Sequence, residues 1–596
     1  MINPFLCEEQ ALVNISTVQK ATSEDLVSAR EKGLEALATA QETHSDKVVP
    51  VKLPTFAEKP KKSLSMAVKA KKIYEEESTV VRQLYFVEDL DEEKKMGVFS
   101  HEWTSCPSSL FEHDSTLDQG YAMRKGNKAD YLTAIKSSLG NSWTQEDKLP
   151  PSDEPVVLIV DAMAFVQRHQ QLLVGSRSFH ELQDKFLRQL LQTKPDNCDC
   201  INFVGDRYDV NPAECLKGEE REKREKKRPG SSTSKEYKPH DALAIPAGFI
   251  QNSLNKANLL NYLGEAWAAE HTSLPPGCRL ILGGVFHNPG RSVLLTKECQ
   301  IDLPELFCEK HEEADTRIFA HLAYCLQYLH HKRAVVMATD TDVVMMCLYY
   351  STCLDGLEEL WVKKMDVYLP AHAIAAALAV KYDVEATALT SVLLGIYILT
   401  GCDTVSYPYR RGKKRAFKAA AEHVQDFLPL GRYGDAERSL DVEEDVITAA
   451  RRYMMSLYDR SDFAGTLDGL RAHLFGKLKG DLRSLPPTED AFQLHLRRAL
   501  HQLAVWKRAH QSDPNLPDAT DFGRQLVDGK LVAVMMNKEP KPSDFKRATS
   551  CRCKKSRCAR GCSCAKAKVR CVITCLCTGN PTKCSRVEMA LDSDSD

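Results

Sequence analysis

VVLIVD, residues 156–161, runs five apolar residues straight into an acid, and a run that short reads as a buried strand once its flanks break. The same texture returns downstream as INFV (201–204), RLILGGVF (279–286), SVLL (292–295) and AVVMA (334–338). Between these runs lie stretches with helical spacing near 178–191, 219–228, 255–269 and 313–331, with further helices expected to about residue 425. A Pro/Gly/Ser-rich break, PGSSTSKEYKP (229–239), interrupts them. Strands alternating with helices predict an α/β fold around a central parallel sheet.

The rest of the chain is more varied. Its 596 residues, 43% of them hydrophobic, suffice for two or more domains and at least one large core. Residues 1–150 are polar and expected to be weakly structured, apart from an amphipathic helix over 24–41 preceded by Thr22 and Ser23 as N-caps. Residues 426–515 read as a helical extension, 516–548 as an irregular linker, 549–588 as a cysteine-rich module and 589–596 as an acidic tail. The 80 Lys+Arg nearly balance the 82 Asp+Glu, so only local charge is informative. Two segments stand out: KREKKR at 223–228, and residues 551–586, which carry ten Lys/Arg and no Asp or Glu.

The longest apolar stretch, around 388–399, falls short of the roughly 18 residues a membrane span needs, so no membrane partner is expected. MINPFLCEEQ at the N-terminus is acidic where a secretory signal is basic and then apolar. A reducing compartment is therefore expected, in which the 21 cysteines do not form a disulfide framework.

Acids placed just after apolar runs matter in such a fold, because ligands gather at the carboxyl ends of parallel strands. Asp161 follows VVLIV, Asp206 follows INFV, Asp340 and Asp342 follow AVVMA, and Asp403 follows LLGIYILTGC; Glu312, Glu313 and Asp315 stand at a helix start. Singly, each has an ordinary explanation: Asp340 as an N-cap, the Glu312–Asp315 group as first-turn acids favoured by the helix dipole. Together they call for divalent cations, since clustered carboxylates repel unless neutralised. Such a set suits two-metal phosphodiester hydrolysis with Mg²⁺ or Mn²⁺, and no His or Cys cluster sits among these positions to favour zinc.

In their order along the chain, VDAMAF (160–165), FVGDRYD (203–209), EEADT (312–316), ATDTDVV (338–344) and LTGCDT (399–404) resemble the acidic motifs of flap endonucleases and the wider PIN-like nuclease superfamily. RRGKKRAFKAA (410–420) is similar to that family's phosphate-gripping helix-hairpin. HEEADTRIF, TDTDVV, LTGCDT with GKKRA, and the 14–38 segment resemble more closely a group of animal proteins often tied to repeat- or mobile-element-derived genes. Some members of that group end in a Tesmin/TSO1-like CXC domain. The resemblance covers about half the chain and implies a nuclease core over 155–425. It implies that Asp161, Asp206, Glu313 and Asp315 surround one metal, and that Asp340, Asp342 and Asp403 help to hold a second. It assigns nucleic-acid contact to Arg410, Arg411, Gly412, Lys413, Lys414 and Arg415. A gateway-like helix would add Lys217, Arg221 and Arg224. The chain departs from the family in three ways: about 155 residues precede the core, the hairpin's Gly-x-Gly is reduced to Arg411-Gly412, and the stacking tyrosine is absent near Gln167.

Nine cysteines fall within the last 46 residues: Cys551, Cys553, Cys558, Cys562, Cys564, Cys571, Cys575, Cys577 and Cys584. Nine thiolates exceed the four that one tetrahedral zinc takes, and sharing three of them as bridges fills the coordination of about three Zn²⁺. The spacing resembles the CXC domain, with Gly561 where that family has an aromatic. Lys554, Lys555 and Arg557 are the first candidates there for phosphate contact.

The expected function is a Mg²⁺-dependent, structure-specific nuclease acting on DNA, delivered by the zinc module and working in the nucleus. The alternatives are a DNA- or chromatin-binding protein that keeps the nuclease fold without turnover, and a zinc-dependent interaction module. DNA is the expected partner, with RNA left open.

Overall fold

In the computed structural model Val156–Asp161 form a strand, β1. Its residues 156–160 are fully buried, as befits a central parallel strand covered on both faces. The structure describes residues 20–21, 28–42, 92–114, 117, 120–208, 215–218, 233–234, 237–239, 249–458, 465–475 and 482–542, and, near the C-terminus, 553, 558, 562–566, 576–577 and 584. The chain divides into two compact units, one of residues 1–49, 110–461 and 493–535, the other of 50–109, 462–492 and 536–596.

The first unit is built on an eight-stranded sheet. Its other strands are Cys198–Val204 (β2), Arg279–Gly283 (β3), Ser292–Leu295 (β4), Gln300–Asp302 (β5), Arg333–Met337 (β6), Glu359–Lys364 (β7) and Val367–Pro370 (β8). They lie in the order β8-β7-β6-β1-β2-β3-β4-β5. The five central strands, β7-β6-β1-β2-β3, run parallel. β8 on one side, and β4 and β5 on the other, are antiparallel additions. The expected α/β fold with a central parallel sheet is thus present; its antiparallel margins, including the β7–β8 hairpin where only helices were expected, are what the pattern did not show.

Helices cover the sheet on two sides, as the alternation of side chains along a strand requires. Leu158, Val160, Ile201 and Phe203 share one core cluster with residues of the helices Phe179–Thr193 and Ser253–Ala269. From β2, Asn202 points the other way, where its carboxamide meets His321 Nδ1 (2.9 Å) and donates to Cys325 Sγ (3.4 Å). Both partners sit on the helix Ala314–Leu329. The chain leaves β1 toward β2 and β3 on one side, and β6 and β7 lie on the other. The gap between β1 and β6 is therefore a topological switch point, where α/β sheets bind ligands. Val160 pairs with Met337, and Asp161 with Val204, so the carboxyl ends of β6, β1 and β2 stand level.

Two expectations about the flanks change. Residues 110–150 were expected to be weakly structured. They instead form a hairpin, Phe111–His113 with Tyr121–Met123, and the helix Ala129–Leu139 (α1), whose Tyr131, Ile135 and Leu139 are buried at helical spacing. Tyr131 donates its hydroxyl to Leu393 O at 3.0 Å, which ties α1 to the helix Ala386–Leu399. Within the irregular stretch after 516, the strands Arg524–Val527 and Lys530–Ala533 pair around Asp528-Gly529, both with positive φ, the usual chemistry of a tight hairpin turn. The N-terminal helix runs over Ala29–Glu42, and Leu34 and Leu37 on it are exposed; its expected start at 24 and the caps Thr22 and Ser23 lie outside the described residues. No single helix among the described residues is long and apolar enough to cross a membrane; the apolar Ala386–Leu399 is buried throughout 389–399.

In the second unit, the helices Glu92–Phe99 and Leu467–Phe475 meet through Phe99 and Phe475, ring centroids 5.2 Å apart. Arg471, buried between them, donates to Phe99 O and Pro486 O and pairs with the equally buried Glu102.

Candidate metal centre

Each acid that the sequence singled out owes its position to a strand end or a helix start. Asp161 ends β1 and caps the helix Ala162–Arg168 (α2), its Oδ1 accepting from Ala164 N at 2.9 Å. Asp206 follows β2 and accepts from Ala314 N (2.7 Å) at the head of Ala314–Leu329 (α3), and from the Tyr208 hydroxyl (2.9 Å). Glu313 and Asp315 occupy the N-cap and first turn of α3. Asp340 caps the helix Thr341–Cys353 (α4) by accepting from Asp342 N at 3.0 Å. The capping reading and the cluster reading of Asp340 therefore hold together. Three helix N-termini face this region, and their dipoles favour negative charge there.

Asp403 arrives by a turn after Ala386–Leu399 (α5). Gly401 in that turn has φ of 111°, and a Cβ on it would stand 2.4 Å from the Tyr407 ring. Glycine is required there both by conformation and by space. The turn delivers Asp403 beside Asp340 and Asp342, and oxygens of these three carboxylates lie within 4.8 Å of one another.

Two lysines are threaded through the acids. Lys128, at the N-cap of α1, has its Nζ 2.6 Å from Asp342, 2.8 Å from Asp403 and 3.5 Å from Asp340. Lys217 lies 2.6 Å from Glu313, 3.3 Å from Asp403 and 3.9 Å from Asp315. Asp403 thus pairs with both amines, joining the two carboxylate groups that the sequence reading had kept apart. Burial would pull both amines down, but the carboxylates around them hold each well above the usual lysine range.

The acids outnumber these cations, and the surplus shows. Burial, then the charge of Asp206, pushes the Asp161 carboxyl up to about 7. Burial pushes Glu313 up to about 7 despite its pairing with Lys217, and raises Asp315 well above the carboxylate range, helped by the charges of Glu313, Asp340 and Asp161. Asp403 moves the other way: burial would raise it, yet Lys217 and Lys128 hold it well below. Two lysines do not offset the burial and mutual repulsion of these carboxylates.

The basic motif at 410–415 is divided between surface and interior. Arg410, Gly412, Lys414 and Arg415 are exposed, and Arg411 is half-buried with its guanidinium 4.5 Å over the Tyr458 ring. Lys413, expected to grip phosphate, is buried instead. It donates to Tyr397 O and to Thr400 Oγ1, with its Nζ 3.9 Å over the Tyr397 ring. Helix Lys413–Ala421 (α6) packs on α1 and α5, which turns its first residue inward. Burial pulls the Lys413 amine down to about 7. Tyr397 in turn donates its hydroxyl to Asp342, so this interior pair supports the centre from behind. Arg221, Arg224, Lys554, Lys555 and Arg557 lie outside the described residues.

Lys125 and Lys128 were not foreseen. Lys125 donates to Asp403 O at 2.7 Å. The available signal was RKGNKAD (124–130) immediately ahead of the helical spacing of Tyr131, Ile135 and Leu139, a cationic helix start where acids are usual.

Near the C-terminus, Cys558, Cys562, Cys564, Cys577 and Cys584 are buried together, with Cys553 packed on them. The sulfurs of Cys553, Cys558 and Cys562 form one group that could hold a metal; those of Cys558, Cys577 and Cys584 form another. Cys558 belongs to both, as a bridging thiolate would. Cys551, Cys571 and Cys575 lie outside the described residues.

No protein-family model matches the sequence, and no curated protein matches it. Among solved structures, the chain is similar to T5 5'-exonuclease with zinc ions bound, at 12% identity and a TM-score of 0.25, covering 55% of this chain and 99% of that one. It is similar also to the catalytic core of Rad2 in complex with a DNA substrate, at 15% identity and a TM-score of 0.25, covering 61% of this chain and 99% of that one. The chemistry of the centre follows from its own carboxylates and lysines.

Proposed function

We propose that the chain is a divalent-metal-dependent phosphodiesterase acting on DNA, with a cysteine-held zinc module that brings it to its substrate. The observation that carries this reading is the excess of negative charge at the switch point: five of the seven acids share two bridging lysines, and Asp161 and Glu313 are pushed up to about 7. Hard oxygen donors without histidine or thiolate among them fit Mg²⁺ or Mn²⁺ rather than zinc. Asp340, Asp342 and Asp403 would hold one ion, and Asp161, Asp206, Glu313 and Asp315 a second. Bound there, such ions supply Lewis acidity and an activated water for phosphodiester hydrolysis. Lys217 keeps Glu313, Asp315 and Asp403 in place and offers positive charge to a phosphodiester, while Tyr397 orients Asp342. The exposed Arg410, Lys414 and Arg415 suit backbone phosphate. A nuclear site of action goes with a DNA substrate.

Lys128, already paired with the Asp340, Asp342 and Asp403 carboxylates, favours a second reading, in which the protein binds DNA without cutting it. The zinc-loaded chain, assayed with Mg²⁺ and Mn²⁺ on branched, single-stranded and duplex DNA and on RNA, separates the two. Metal-dependent cleavage of DNA, lost in the Asp340→Asn, Asp342→Asn double variant with DNA affinity held or raised, is the expected result. An inactive wild type that still binds DNA decides for the second reading, and an equally active double variant overturns the assignment of the centre.

A further inference from the structure

The stretch 124–130 is clamped over the centre. Tyr407 N donates to Arg124 O at 2.9 Å. Gly126 lies so close to the Tyr407 ring that a Cβ there would stand 2.3 Å from it. Lys125 Nζ holds Asp403 O at 2.7 Å, and Asn127 Oδ1 accepts from Ala129 N at 3.2 Å. Out of this clamp comes Lys128, whose Nζ reaches all three carboxylates of Asp340, Asp342 and Asp403. These same oxygens are grouped closely enough to hold one ion.

We propose that Lys128 is a built-in counter-ion for the Asp340, Asp342 and Asp403 site, which an incoming divalent metal must displace. This rests on the reading of these acids as a metal site. An ion there needs carboxylate oxygens at about 2.0–2.1 Å, from the same carboxylates that now face the ammonium, and like charges repel strongly in a partly dry site. Lysine suits the role because its long stem lets the amine withdraw without unfolding the helix behind it. The buried Asp342 is thereby never left without a counter-charge: the amine serves before the metal binds and the metal serves after. The cost is a weaker metal site, so metal occupancy is tied to movement of residues that precede the α/β core.

The test is Mn²⁺ binding to the zinc-loaded full chain, measured by calorimetry and by the paramagnetic resonance of the free ion, for wild type, Lys128→Met and Lys128→Arg. Lys128→Met should bind Mn²⁺ roughly tenfold more tightly or better, since a competing positive charge is gone, and Lys128→Arg should stay near wild type. Equal or weaker binding by Lys128→Met overturns the proposal. Should Lys128→Met be folded without metal but too unstable for calorimetry, the Mn²⁺-induced rise in melting temperature replaces affinity as the readout. A larger rise than in wild type supports the displacement, and an equal or smaller one overturns it. The Asp340→Asn, Asp342→Asn double variant tells the two failures apart. If it binds Mn²⁺ like wild type, these acids hold no metal and both readings fall. If it loses an ion while Lys128→Met leaves affinity unchanged, only the role of Lys128 falls.

Discussion

Replacing Asp161 by asparagine should change stability in opposite directions with and without metal, and the change should depend on pH. Asparagine keeps the N-cap geometry, because its Oδ1 can still accept from Ala164 N, but it cannot ionise. In the native metal-free protein the Asp161 carboxyl is pushed from 3.8 up to about 7, by burial first and then by Asp206. A folded-state value above the unfolded one means that the group's contribution to stability is fully present below about pH 4 and is lost as pH rises through about 7. Over that window the unfolded chain has released a proton that the native one retains, so wild type loses roughly 1.4 kcal/mol per pH unit relative to the variant, about 4 kcal/mol in all at most. Asp161→Asn should therefore be near wild type below about pH 4, roughly 1.5 kcal/mol more stable at pH 5 and about 4 kcal/mol more stable at pH 8 in chelator. Taking the difference between two proteins cancels the opposing trend from buried neutral histidines such as His311 and His495, whose values burial pulls down. With Mg²⁺ in excess the order should reverse, because the ionised aspartate is stabilised by a cation that asparagine holds poorly. The assay is urea denaturation at pH 5, 6, 7 and 8, with chelator or with Mg²⁺. A difference between the two proteins that stays flat from pH 5 to 8 in chelator would refute the claim that the centre lacks positive charge.

Two further outcomes are expected. Tyr397→Phe preserves the ring beside Tyr131 and Trp506 but removes the hydroxyl donated to buried Asp342. It should cost roughly 1.5–3 kcal/mol, the usual worth of a hydrogen bond to a charged group, and an unfolding free energy from denaturant titration within about 0.5 kcal/mol of wild type, the scatter of a surface change, would contradict it. Native mass spectrometry of the full chain should show about three zinc ions, and Cys558→Ser should lose more than one of them, because Cys558 belongs to both sulfur groups; a variant with the full complement would remove the bridging role.

Much of the sheet and the seven acids were legible in the chain because their signals are local. A run such as VVLIV is buried on both faces and declares a central strand wherever it sits, and an acid directly after it must emerge at the strand's carboxyl end. The helix-start acids Glu313, Asp315, Asp340 and Asp342 follow from the same short-range rules, since capping and dipole effects act within one turn. That all these ends converge follows in turn from the parallel order of the strands.

Tertiary structure alone decided which positive charges enter the centre. Lys128 meets Asp342 across 214 residues of chain, a pairing that no local pattern encodes, and its segment looked like polar filler because the ring partners of its Tyr131, Tyr397 and Phe417, are also remote in sequence. Lys413 shows the converse. Within RRGKKR it reads as one more surface cation, yet the packing of α6 on α1 and α5 turns that one amine inward, onto Tyr397 O and Thr400 Oγ1, while Lys414 and Arg415 beside it stay outside. Charge in a sequence states how much positive character a segment carries. Which amine faces solvent and which faces a buried carboxylate is settled by the direction of each side chain on a packed helix, and that is a property of the assembled fold.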